Sequence, residues 1–93
     1  MSLEPQNPLP IGLIHVPEEY RGWTGTAAEL AQVGNDELKR AHGVDPGLNE
    51  RLIRHYVTME VIDRPRRQGK EAIFGFRHLT QLLVLRKLLD QGL

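Results

Sequence analysis

The sequence contains no cysteine, which excludes disulfides and thiolate metal sites and leaves a reducing compartment compatible. It also has no apolar run approaching the roughly 18 residues that span a bilayer. The N-terminus lacks the basic segment and apolar core of a secretory signal, so a cytoplasmic location is the expectation. Aromatic residues make up only 5%, and no exposed pair suggests stacking on single-stranded bases. A glycine-rich phosphate loop, a Gly-x-Ser-x-Gly elbow and an evident carboxylate pair are all missing. His15, His42, His55 and His78 share no i, i+3 or i+4 spacing. Neither a metal nor a cofactor is therefore expected, and the chain does not read as an enzyme.

An excess of one charge is missing too: 12 cations balance 12 acids over 93 residues, a length for one domain. The distribution is uneven. Residues 1–48 hold three cations (Arg21, Lys39, Arg40) against seven acids. Residues 49–77 hold seven cations against Glu50, Glu60, Asp63 and Glu71, a net of +3. A local cationic face attracts a polyanion even when the whole chain is neutral.

Residues 1–23 carry four of the six prolines and no sustained period, so they read as an extended arm. Ile11, Leu13, Ile14, Val16, Tyr20 and Trp23 are its candidate anchors. Residues 24–93 form the expected domain. "TGTAAELAQVG" predicts a short helix capped by Thr24 or Thr26 and stopped by Gly34. "NDELKRAHG" predicts a second, capped by Asn35 and closed by Gly43. "DPGLNERLIRHYVTM" predicts a third over 46–59, with Asp45 as cap and Pro46 at its first position. On that helix Leu48, Leu52, Tyr56 and Met59 share one arc with Ile53 at its edge. Arg51, Arg54 and Thr58 gather opposite, flanked by Glu50 and His55.

"EVID" and "EAIF" then read as two strands, joined by the loop "RPRRQGK" with Gly69 for the turn. "FRHLTQLLVLRKLLDQG" predicts a final helix with a wide leucine stripe and a stop at Gly92. The stripe exceeds what a small domain covers, so part of it is expected to meet another chain. The predicted fold class is mostly α with a small β-hairpin. A helix with one buried and one cationic face, followed at once by a basic hairpin, is the layout of a winged helix-turn-helix.

From residue 48 to about residue 89 the chain resembles the mercury-resistance-type (MerR) transcriptional regulators. "NERLIRHY" resembles that family's Ser-x-Arg-Thr-Leu-Arg-Tyr-Tyr helix, and "MEVIDRPRR" its Gly-Leu-Leu-x-Pro-x-Arg stretch. "AIFGFRHLTQLLVLRKL" is similar to the segment that closes the wing and starts the next helix. "TAAELAQVG" matches the first family helix more weakly. The interval between "ELA" and "RHY" is longer than in the family. Either an extra short helix is inserted there, or "ELKRAHGV" is the true family helix and residues 24–34 are an addition.

The resemblance implies a double-stranded DNA partner, with Arg51, Arg54 and His55 at matching positions on the helix and Arg66 or Arg67 on the wing. From the cationic layout, Asn49 and Thr58 on the helix and Arg64 and Lys70 on the wing are further expected contacts. It also implies a homodimer or partner chain through the C-terminal helix, and either a fragment of a longer regulator or a stand-alone member. Two competing expectations are an excisionase-like architectural DNA-binding protein and a protein-interaction module built on the leucine helix.

Overall fold

The structure is a computed structural model that describes residues 16–90. The arm anchors Ile11, Leu13 and Ile14, His15 and the stop at Gly92 lie outside the described residues. Three helices pack around a three-stranded antiparallel sheet, and the fold is mostly helical.

A 3-10 turn, Glu18–Tyr20, leads into strand β1, Thr24–Gly25. Val16, Tyr20 and Trp23 pack against the core, so the described end of the arm lies on the body. Tyr20 Oη–H donates to Glu37 Oε2 at 3.0 Å. Burial first, and then this bond to a carboxylate, raises the Tyr20 pKa above its ordinary value. A raised folded-state pKa contributes stability below the ordinary tyrosine value that is lost as pH rises through the raised one. Unfolding free energy is expected to fall above about pH 10. Tyr20→Phe should remove that alkaline slope in denaturant titrations.

Helix α1 spans Ala27–His42 without a break. Thr26 caps it through a reciprocal box: Glu29 N–H donates to Thr26 Oγ1, and Thr26 N–H donates to Glu29 Oε1 at 2.8 Å. Gly43, at φ 80°, terminates it, as expected of a left-handed glycine.

The two short helices expected on either side of Gly34 are therefore one. Gly34 is absent from the positive-φ glycines, Gly43, Gly47 and Gly69, of the described residues, so it does not stop the helix. Its missing side chain makes room instead. A Cβ there would lie 2.8 Å from Leu82 Cδ2 and 2.9 Å from Leu48 Cδ1.

Asn35 is not a cap either. Its Oδ1 accepts from Leu48 N–H at 2.8 Å, and its Nδ2 donates to the Leu48 carbonyl at 2.9 Å. This double bond fastens the connection before the next helix onto α1. Asn35→Ala leaves a partly buried peptide unpaired and is expected to cost about 1–3 kcal/mol, read from the denaturation midpoint.

Helix α2 spans Glu50–Thr58, starting later than the expected 46–59. The cap is Asn49, whose Oδ1 accepts from Leu52 N–H at 2.8 Å. Asp45 accepts instead from Gly47 N–H at 2.8 Å, with Gly47 at φ 74°. The side chain expected to cap a helix thus closes a turn, and Pro46 falls inside it. Of the predicted arc, Leu48 and Tyr56 are buried and Leu52 is partly buried, while Ile53, expected at its edge, is fully buried. Met59, just past the helix, is 56% exposed.

"EVID" is not a strand. Val61 N–H bonds back to the Tyr56 carbonyl and Glu60 N–H to that of Val57, so residues 60–61 close α2. Ile62 drops into the core at 1% exposed. The hairpin forms later, from β2, Arg66–Gln68, and β3, Glu71–Gly75, around a turn with Gly69 at φ 64°. Its register pairs Arg66 with Ile73, Arg67 with Ala72 and Gln68 with Glu71. The other edge of β3 takes β1, with Gly25 opposite Phe74, giving the order β1-β3-β2.

Helix α3, Phe76–Asp90, buries Leu79, Leu82 and Leu83 against Leu30, Ile53, Ile62 and Phe74. The outer part of the stripe stays open, with Leu89 48% exposed. Among the described residues no helix is long and apolar enough to cross a membrane.

Candidate nucleic-acid interface

Burying Ile53 and Tyr56 turns Arg51, Arg54, His55 and Thr58 outward on α2. Glu50 pairs with Arg54 one turn on. That pair leaves the Arg54 side chain 71% exposed, so part of its guanidinium fork remains open to a ligand. Asn49 is also exposed, but its carbonyl oxygen is committed to the cap.

On the wing, alternation separates neighbouring arginines. Directly paired residues share a sheet face, and successive residues point to opposite faces. Arg67 therefore lies on the face of Ala72, and Arg66 on that of Ile73. Arg67 and Ala72 face the space between the wing and α2, and Arg66 and Ile73 do not.

There the wing and α2 enclose a groove of about 970 Å³, lined by Arg54, Thr58, Arg64, Arg67, Lys70 and Ala72 among others. Five of the expected contact residues thus meet around one concavity. Arg51, His55 and Arg66 are exposed but outside its lining, as is Asn49. The groove also holds Glu50, Glu60 and Glu71, so four cations face three carboxylates.

The base of the wing is fastened to α3. Asp63 N–H donates to Gln81 Oε1 at 2.9 Å, and Arg77 reaches Asp63 Oδ2 at 3.4 Å. Gly75 N–H donates to His78 Nδ1 at 2.9 Å, and His78 Nε2 lies 3.2 Å from the Arg64 carbonyl oxygen. The two bonds span the ring from Gly75 to Arg64, and the ring meets Phe74 edge-on at 5.1 Å. Sequence reasoning did not single out Asp63, His78 or Gln81 as wing supports. Their spacing, 63 against 78 and 81, carries no local signal.

No group of three or more potential metal ligands occurs among the described residues. Two helices joined by a short connection, with the second presenting a cationic face beside a basic hairpin, define a winged helix-turn-helix protein. Within that class, residues 35–93 match the model of the MerR HTH family of regulatory proteins. The chain belongs to that family, which places it among helix-turn-helix DNA-binding regulators. The match begins inside α1, at Asn35, and residues 16–34 precede it. Neither a curated protein nor a solved structure matches the chain.

Proposed function

We propose that the chain is a DNA-binding module of a MerR-like transcriptional regulator that recognises a specific duplex sequence. The observation that carries this reading is the groove shared by Arg54 of α2 and Arg64, Arg67 and Lys70 of the wing. A helix seated in the major groove and a wing over the neighbouring minor groove straddle one sugar-phosphate strand, because that strand divides the two grooves.

In this mechanism Arg51 and Arg54 reach base edges or the nearby backbone. Planar guanidinium groups suit both guanine edges and phosphates. Arg64, Arg67 and Lys70 hold phosphates and fix orientation, with Arg66 on the outer face as an accessory cation. A second copy on an adjacent half-site, joined through the open leucines of α3, supplies the surface that one small module lacks.

Binding to duplex DNA should weaken with salt. If about four cations displace counterions, log affinity falls against log salt with a slope near −3 to −4; a flat response contradicts the reading. Arg54→Ala is expected to relax sequence preference, whereas Lys70→Ala weakens all sequences alike. The reverse pattern would exchange their roles. Arg67→Gln is expected to cost more affinity than Arg66→Gln in the same titration.

A further inference from the structure

Glu60 occupies a backbone position that suits glycine. Val61 N–H bonds to the Tyr56 carbonyl at 3.1 Å and Glu60 N–H to the Val57 carbonyl at 2.9 Å, the two bonds of a Schellman helix end. The first residue past the cap in such an end is left-handed, and Glu60, in that position, has φ 63°, the sole non-glycine with positive φ among the described residues. A β-carbon is strained there. The charge is misplaced as well, because a carboxylate just past a helix C-terminus meets the negative end of the dipole. The side chain is exposed and makes no hydrogen bond or ion pair among the described residues. Nothing inside the fold rewards a glutamate here, and such local conflicts concentrate where function demands them.

What Glu60 does face is the groove between α2 and the wing. Of the other two acids there, Glu50 is paired with Arg54, and Glu71 sits opposite Gln68 at the wing tip. Glu60 has no ion-pair partner among the described residues and lies at the helix end, where the strand between the two DNA grooves would cross. A carboxylate at that crossing repels phosphate whatever the base sequence.

We propose that Glu60 is an attenuating residue of the DNA interface. It weakens the sequence-independent attraction of the groove for phosphate, so that the base contacts of α2 supply a larger share of the binding free energy. This rests on the DNA-binding reading above.

Two variants separate charge from backbone. Glu60→Gln removes the charge and keeps the strain; Glu60→Gly removes both. Each would be titrated against a random-sequence duplex pool and against the best sequence that the wild-type chain selects from that pool. Both variants are expected to bind the random pool and the selected duplex about five-fold tighter at low salt. The ratio of the two affinities stays close to that of the wild-type chain. The gain should shrink as salt screens it, and only Glu60→Gly should also raise the melting temperature. A Glu60→Gln chain with unchanged affinity for both duplexes overturns the proposal. So does one that only loses affinity for the selected duplex, which would make Glu60 a base contact. A wild-type chain that retains no duplex at low salt overturns the DNA-binding reading itself, whereas normal wild-type binding with an inert Glu60→Gln overturns the Glu60 assignment alone.

Discussion

Converting Arg64, Arg67 and Lys70 together to glutamine should lower affinity for duplex DNA about a hundred-fold or more at low salt. Each exposed cation on a phosphate contributes on the order of 1 kcal/mol, and tenfold in affinity corresponds to about 1.4 kcal/mol. Losing three such contacts should also flatten the salt slope by about 2.7, because each neutralised phosphate contributes roughly 0.9. All three side chains are exposed, and none makes an ion pair among the described residues. The fold should therefore survive, with a melting temperature close to that of the parent chain. Binding measured by fluorescence anisotropy across a salt series checks both numbers. A tenfold loss or less, with an unchanged slope, would place the phosphate contacts elsewhere.

The second large effect concerns stability. Gly34→Leu should destabilise the fold by about 3 kcal/mol or more, at the upper end of overpacking. The site is walled by Leu82, fully buried, and Leu48, 5% exposed, so an added side chain has nowhere to go. For a domain of this size that corresponds to a melting temperature lower by more than about 12 °C. Gly34→Ala is milder. The better helix propensity of alanine, about 1 kcal/mol, is set against the displacement of two leucine methyls. A Gly34→Leu chain that melts within a few degrees of the parent would mean α1 and α3 do not pack as closely as described.

Gly34 also shows why part of the fold was not legible in the sequence. Glycine ends a helix only when its backbone turns left-handed, and it permits close packing when it does not. Which role applies depends on Leu82, 48 residues away along the chain. Asp45 and Asn49 posed the same problem. Either can cap a helix, and the choice fell to Asn49 because Pro46 and Gly47 gave Asp45 a turn to close. Strand β1 is only two residues long, too short for any period, so the third strand was invisible.

What was legible rested on local chemistry. Thr26 was one of two candidate helix caps, Gly69 announces a hairpin turn, and Leu79, Leu82 and Leu83 a helix face. The cationic side of α2 followed from the 100° period, although Ile53, expected at the edge of the buried arc, is its most buried residue. Charge placement identified the wing, but the split between Arg66 and Arg67 required the strand register. The supports of the wing and the left-handed Glu60 needed tertiary structure. The wing's fastening to His78 and Gln81 joins residues far apart in sequence, and a backbone angle leaves no compositional trace.

The central claim is that α2 and the wing engage one duplex together. The most direct test is an NMR titration of the isotope-labelled chain with a short duplex at low salt. Backbone amides of residues 49–58 and 64–72 are expected to shift with a single midpoint, along with the guanidinium signals of Arg54 and Arg67. Shifts confined to α3 or to residues 16–23, or separate midpoints for helix and wing, would contradict it.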